Sequence, residues 1–186
     1  MSLTDVDWLL IPAPSDDGAA AHLMGAALPD VSLAASDGGT VDLSGLDGLA
    51  VLYLYPMTGR PDRDLPSGWN DIPGARGCTP QSCAYRDHMA TLRDYGVRHL
   101  FGISTQSTAD QAEAVARLHL PYPLLSDADG TLAKALNLPV FDADGKTMLK
   151  RLTLIARDGL IVDVAYPVFP PDEDATRVID WLKENG

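Results

Sequence analysis

Cysteine is scarce in this chain, which holds only Cys78 and Cys83 among its 186 residues. Two cysteines cannot form the disulfide framework of a small secreted protein, and a chain of this length can build a hydrophobic core without one. Long hydrophobic runs are also missing, because stretches such as residues 49–55 are far too short to cross a bilayer. The first residues lack a basic segment followed by an apolar one, so no secretory signal is expected. We therefore expect a cytoplasmic protein without membrane contact, in which close cysteines indicate redox chemistry or metal binding.

Positive charge is in short supply as well. The chain has 14 Lys and Arg residues against 26 Asp and Glu residues, which gives a formal net charge of −12. Such an acidic chain repels phosphate backbones, so we expect no nucleic-acid partner. Acidity also keeps a protein soluble, and that explanation covers most of the charge. Hydrophobic residues make up 46% of the chain, enough for one globular domain.

Proline and glycine residues, which interrupt helices and strands, divide the chain into two parts. These are an N-terminal extension, residues 1–27, and a main domain, residues 28–186. A turn at 36–39 predicts a hairpin, and the continuously apolar run 49–55 predicts a central strand covered on both faces. Residues 57–77 form a long loop of the kind that is often functional. Thr79 suits a helix N-cap and Pro80 the first helical position, so a helix is expected to open there.

The second half of the chain predicts alternating elements that end in a hairpin and a helix. The expected elements are a strand at 99–104, helices at 108–118 and 131–136, strands at 148–156 and 160–166, and a helix at 172–183. This order predicts an α/β protein with a thioredoxin-like fold. The cysteine pair lies where the connection from the first core strand enters the first core helix. Open α/β sheets place their chemistry at such strand ends.

A cysteine at a helix N-terminus faces unpaired backbone N–H groups and the positive end of the helix dipole, and both favour the reactive thiolate. Residues five apart on a helix have Cα atoms about 8.6 Å apart, whereas a disulfide needs about 7 Å or less. A bond between Cys78 and Cys83 would therefore require the first turn to unwind. Two alternatives remain, namely two unrelated thiols and a metal site that adds His88. The metal site is disfavoured because its third ligand, His88, would face away from the cysteines on the helix.

Five short blocks of sequence, in order along the chain, resemble a known family. They lie at 53–56, 77–87, 101–104, 123–127 and 151–155. The second block, Gly-Cys-Thr-Pro-Gln-Ser-Cys-Ala-Tyr-Arg-Asp, holds both cysteines. Together the blocks resemble the Q-type peroxiredoxins, which are similar to bacterioferritin comigratory protein, and the resemblance extends over about residues 28–183.

The resemblance implies a thioredoxin fold and cofactor-free, thiol-dependent reduction of hydrogen peroxide and organic hydroperoxides. Cys78 matches the peroxidatic cysteine, which attacks peroxide and becomes a sulfenic acid. Cys83 matches the resolving cysteine, which forms an intramolecular disulfide that thioredoxin or a similar dithiol then reduces. Arg151 matches the active-site arginine, on the strand that faces the cysteine. We expect a monomer or a weak homodimer.

The active-site loop departs from the family pattern. Family members usually carry proline seven residues and threonine three residues before the peroxidatic cysteine, where this chain has Asp71 and Ala75. Pro56 matches the proline that opens the loop, which makes the loop much longer here. Thr58, Thr79 or the backbone N–H groups of 74–77, which include Gly77, are the candidates to replace the threonine hydroxyl.

Two other functions fit a cysteine pair in a thioredoxin-like domain. One is a thiol–disulfide oxidoreductase, although a spacing of five residues prevents the dithiol from closing in place. The other is a redox-sensing binding module, in which the long loop docks a partner and oxidation of Cys78 releases it. Persistent oxidation with negligible turnover would distinguish a sensor from a peroxidase.

Overall fold

A computed structural model describes residues 6–186. The first five residues, on which the expectation about a secretory signal rests, lie outside that range. Residues 6–186 contain nine strands: β1 Ser32–Ala35, β2 Thr40–Asp42, β3 Leu49–Leu54, β4 Val97–Ser104, β5 Leu124–Ser126, β6 Val140–Ala143, β7 Lys146–Leu149, β8 Leu152–Arg157 and β9 Leu160–Ala165. Seven of them form one sheet in the order β2-β1-β5-β4-β3-β8-β9, and β6 pairs with β7 apart from it.

The central strand β3 pairs with β4 in parallel and with β8 in antiparallel orientation. All six of its residues are buried, as its unbroken apolar sequence predicts. Side chains alternate between the two faces of a strand. Leu52 and Leu54 accordingly enter one hydrophobic core, whereas Val51 and Tyr53 enter a second core on the opposite face. The strand is therefore fixed from both sides, and the chain that follows it leaves a rigid edge.

In the described part of the chain, five α-helices accompany the sheet: α1 Cys78–Asp87, α2 Met89–Asp94, α3 Thr108–Leu118, α4 Thr131–Ala135 and α5 Asp174–Asn185. The prediction of Thr79 as the N-cap of α1 is wrong. Gly77 occupies that position with a φ of 106°, and Cys78 is the first helical residue. Pro80 is tolerated at the third position because the first N–H groups of a helix have no intrahelical acceptor.

The prediction of one strand over 148–156 is also wrong. The chain forms β7 and β8 instead, with Lys150 and Arg151 between them. The break has a physical cause, since β7 pairs with β6 whereas β8 pairs with β3 and β9. A change of partner at this point turns the backbone and places the Arg151 side chain in the interior.

The long loop contributes to a third, smaller core. Trp69 is buried and its ring lies 6.2 Å from that of Phe141, which belongs to β6. Ala75 and Met148 complete the same cluster. The β6–β7 hairpin therefore packs against the long loop, with Trp69 buried between them. Within residues 6–186, no helix is both long and apolar enough to span a membrane.

Candidate active site

Cys78 lies at the first residue of α1 and is 3% exposed. Its thiol therefore sits at the helix N-terminus, where free N–H groups and the helix dipole stabilise negative charge. The preceding residue, Gly77, approaches its neighbours closely. A Cβ placed there would lie 2.5 Å from Pro171 Cγ and 2.9 Å from Trp8 Cη2. Glycine is needed at this entry to the helix for both its space and its positive φ.

Two hydrogen bonds involve the Cys78 sulfur. Arg151 Nη2 donates to Sγ at 3.2 Å, and the thiol donates to the Ala75 carbonyl at 3.7 Å. The guanidinium bond gains strength when the sulfur carries a negative charge, whereas the thiol bond exists only in the protonated form. The guanidinium therefore places positive charge directly beside the sulfur.

Arg151 is itself buried and held by backbone carbonyls of the loop. Its Nη2 also donates to the carbonyls of Gly74, Ala75 and Arg76 at 3.3, 3.4 and 3.1 Å, and its Nη1 donates to Gln81 Oε1. Its Nε has no hydrogen-bond partner among residues 6–186. The expectation that Arg151 lies on a strand is wrong, since it stands immediately before β8. Arg151, which the resemblance places opposite the cysteine, contacts Cys78 Sγ.

Cys83 occupies the same helix and is also buried, and both cysteines are free thiols. Both cysteines lie in α1, which meets the condition for the separation of about 8.6 Å between their Cα atoms. Burial raises the pKa of the Cys83 thiol, so folding favours its neutral form. That contribution to stability is present below the ordinary thiol pKa of about 8.5 and is lost as the pH rises above it. Unwinding around Cys83 therefore becomes easier in alkaline solution.

Buried tyrosines anchor α1 between the two cysteines. Tyr122 donates its hydroxyl to the Ser82 carbonyl at 2.8 Å, and Tyr53 donates to Ser82 Oγ at 3.0 Å. The rings of Tyr53 and Tyr85 stack with their centroids 4.5 Å apart. These contacts stabilise the helical conformation that keeps Cys78 and Cys83 apart.

Part of the N-terminal extension covers the loop that precedes Cys78. Trp8 packs over Gly77 and against Phe169, with ring centroids 5.8 Å apart for the aromatic pair. Farther along, Asp17 accepts hydrogen bonds from Lys150 and Tyr166, both at 2.8 Å. These two bonds lower the pKa of Asp17 to about 2, so the attachment persists across the physiological range. The predicted boundary between residues 27 and 28 stays a prediction.

Replacing Gly77 by alanine is expected to lower the free energy of unfolding by about 2 kcal/mol, because the new methyl group meets Pro171 and Trp8 in a backbone region that disfavours side chains. Urea denaturation measures the change. Gly38→Ala is the matched control, since Gly38 also has a positive φ but open space around it. Equal losses in the two variants would show that the packing over Gly77 contributes nothing.

Among the described residues, neither Thr58 nor Thr79 forms a hydrogen bond with the Cys78 sulfur. Thr58 is buried, and its Oγ1 and backbone N both donate to Gln106 Oε1, at 3.2 and 2.9 Å. Pro56 is buried two residues after the end of β3 and lines, with Thr58, a cavity of about 1240 Å³. Thr79 is half-buried at the second residue of α1. The backbone carbonyl of Ala75, rather than a threonine hydroxyl, contacts the sulfur from the position three residues before Cys78.

Sequence reasoning missed Gln81, which contacts Arg151 directly. Helical spacing offered a signal, because Gln81 lies three residues after Cys78 and thus on the same face of α1. The described residues contain no group of three or more His, Cys, Asp or Glu side chains placed to hold a metal. His88, the third member of the metal alternative, has its Nδ1 2.9 Å from the Ala84 carbonyl.

A buried thiol at the start of the first core helix of a thioredoxin-like sheet, paired with a buried guanidinium, defines a thiol-based redox protein. The Redoxin family matches residues 23–179. The chain belongs to this family, and within it to the Q-type peroxiredoxins.

Individual relatives agree with this assignment. The chloroplastic peroxiredoxin Q of Oryza sativa subsp. japonica is 28% identical over 160 residues, which cover 86% of this chain and 66% of the rice protein. A peroxiredoxin of Mycobacterium tuberculosis strain H37Rv is 31% identical over 139 residues, which cover 74% of this chain and 79% of that protein. The crystal structure of the peroxidoxin BcpB from M. tuberculosis superposes with a TM-score of 0.70 at 29% identity, covering 87% of this chain and 96% of that one. The chain thus spans just under two thirds of the length of the rice relative.

Proposed function

We propose that this protein is a thiol-dependent peroxidase in which Cys78 reduces hydrogen peroxide and organic hydroperoxides. The observation that carries the proposal is the 3.2 Å contact between Arg151 Nη2 and Cys78 Sγ at a helix N-terminus. The guanidinium and the helix N-terminus both bring positive charge to the sulfur, and the thiolate is the form of a cysteine that attacks. The family assignment supports the same reaction.

The first step transfers one oxygen atom. The Cys78 thiolate attacks the terminal oxygen of the hydroperoxide, the O–O bond breaks, and the departing alkoxide or hydroxide takes a proton to leave as alcohol or water. Cys78 becomes a sulfenic acid. Arg151 stabilises the negative charge as it moves from sulfur to the leaving oxygen, since its guanidinium is fixed before the reaction begins.

The second step closes a disulfide between Cys78 and Cys83. Both residues lie in α1, where helical geometry separates their Cα atoms by about 8.6 Å, so the first turns must unwind before the Cys83 sulfur attacks and water leaves. The disulfide accepts two electrons and two protons from a thioredoxin-like dithiol, which becomes oxidised in exchange. The same geometry disfavours a thiol–disulfide oxidoreductase, which needs a dithiol that closes in place.

The surroundings of Arg151 suit small peroxides. A cavity of about 270 Å³ reaches Arg151 and is lined by the N-terminal extension, the loop and the chain after β9, among them Pro14, Ile72 and Tyr166. We propose that hydrogen peroxide and compact organic hydroperoxides approach the guanidinium through this cavity, whose lining includes Arg151 but not Cys78. We propose action in the cytoplasm, which two free cysteines support, and a monomer or weak homodimer.

A peroxide assay coupled to thioredoxin and its reductase, with intact-mass analysis of the protein, tests this function. We expect continuous peroxide consumption and a loss of about 2 Da in the oxidised protein, the mass of the two hydrogens removed by a disulfide. Disulfide formation without turnover would indicate a sensor instead. No reaction at Cys78 would contradict the proposal.

Replacing Tyr122 by phenylalanine is expected to speed disulfide formation about fivefold, because it removes a hydrogen bond worth about 1 kcal/mol that holds the helical form of α1 at Ser82. Rapid mixing with one equivalent of peroxide, followed by acid quench and mass analysis, measures the rate. Tyr95→Phe, at an exposed tyrosine beyond α2, is the control. An unchanged rate in Tyr122→Phe would mean that unwinding does not involve this contact.

A further inference from the structure

Asp174, the first residue of α5, is a buried carboxylate at the meeting point of three elements and is 2% exposed. Its Oδ2 accepts three hydrogen bonds, from Gln81 Nε2 at 2.9 Å, Tyr85 Oη at 2.7 Å and Thr153 Oγ1 at 2.6 Å. Burial together with the adjacent carboxylate raises the pKa of Tyr85 well above its ordinary value, so its hydroxyl stays a donor. Three donors on one oxygen identify Asp174 as an acceptor that α1 and β8 share.

The contact with Asp174 decides which way the Gln81 amide faces. A glutamine side chain has a donating NH₂ group at one position and an accepting oxygen at the other. Because a carboxylate oxygen only accepts, Gln81 must turn its NH₂ group toward Asp174. Its Oε1 then faces Arg151 Nη1 and accepts the hydrogen bond that the guanidinium donates. The reverse orientation would set two donors against each other at the arginine.

The Arg151 guanidinium is planar, so fixing one of its nitrogens orients the others. With Nη1 held by Gln81, Nη2 lies 3.2 Å from Cys78 Sγ and 3.1 Å from the Arg76 carbonyl. A single chain of hydrogen bonds therefore connects Asp174, in the C-terminal helix, to the sulfur in α1.

We propose that Asp174 is a positioning residue for the reaction at Cys78, acting through Gln81 to orient the Arg151 guanidinium on the sulfur. The inference rests on the proposed peroxidase function. It goes beyond that function because it assigns Asp174, a residue of the C-terminal helix, an effect on the reactivity of Cys78. Asp174 does not contact Cys78 directly. Without an acceptor-only group at position 174 the Gln81 amide can rotate, and the guanidinium then loses its fixed direction.

The Asp174→Asn variant keeps the volume of the side chain and removes its obligatory acceptor character. We expect the rate constant of Cys78 with peroxide to fall roughly tenfold and the midpoint of the pH profile of Cys78 alkylation by iodoacetamide to move to higher pH. Alkylation is followed in the Cys83→Ser background so that only one thiol reacts. Because alkylation needs no peroxide turnover, it remains informative even where the proposed function fails.

A double-mutant cycle with Gln81→Met separates positioning from a general structural role. Gln81→Met alone is expected to match Asp174→Asn in both readouts, and adding Asp174→Asn to it should change little further. Thr153→Val is the matched control, since it removes another hydrogen bond to the same oxygen without touching Gln81. The Thr153→Val variant should be less stable than the wild type, but the midpoint of its alkylation pH profile should not change.

Three outcomes would overturn the proposal. The first is an equal effect of Asp174→Asn with and without Gln81, which would mean that Asp174 does not act through the amide. The second is a shift in Thr153→Val as large as that in Asp174→Asn, which would show a structural role only. The third is an unchanged rate and alkylation midpoint in Gln81→Met, which decides the question even where Asp174→Asn does not fold.

Discussion

The Cys83→Ser variant is expected to consume one equivalent of peroxide and then stop. Cys78 keeps its place at the start of α1 and its contact with Arg151, so the first step proceeds. The sulfenic acid that results has no thiol within the same helix to attack it. Intact-mass analysis should therefore show one added oxygen on the protein, and thioredoxin should support no further cycles.

The Cys78→Ser variant is the partner experiment. Serine cannot supply a thiolate, so peroxide consumption should fall by at least roughly 10⁴-fold and no oxygen adduct should form. Normal cycling by Cys83→Ser would contradict the resolving role of Cys83. Equal reactivity of the two variants would mean that the cysteines act independently, as two unrelated thiols.

The parts of this site that the sequence predicts are those with local signals. Cys78 and Cys83 fall in a helix that opens after a long loop, and the apolar run before the loop is a fully buried strand. The hairpin of β1 and β2 follows from its turn residues. Such features depend on neighbours a few residues away, which is why composition and periodicity suffice to find them.

The features that sequence reasoning missed depend on contacts between distant parts of the chain. Gln81 and Asp174 are 93 residues apart, and nothing in the local sequence distinguishes Asp174 from the other acidic residues of this chain. The break before β8 arises because two different strands compete for the same segment as partners. Thr58 pairs with Gln106, a contact that only the tertiary fold reveals.

Replacing Arg151 by methionine is expected to lower the rate constant of Cys78 with peroxide by about 10²- to 10³-fold, because methionine keeps much of the volume but removes the guanidinium that donates to the sulfur. Arg151→Lys should lose less, since it keeps the charge. An ammonium group is a single point of charge, however, and cannot hold Gln81, the loop carbonyls and Sγ in one plane. Stopped-flow measurement of the single-turnover rate gives both values.

Lys150→Met is the matched control for the guanidinium, since it removes the neighbouring cation, which binds Asp17 instead of the sulfur. We expect its rate to stay within about twofold of the wild type, because a partly exposed charge is screened by solvent. A comparable loss in Lys150→Met would mean that positive potential over the whole site, rather than a directed hydrogen bond, activates Cys78. A large loss confined to Arg151→Met, with Arg151→Lys between it and the wild type, would show that both the charge and the planar geometry of the guanidinium contribute.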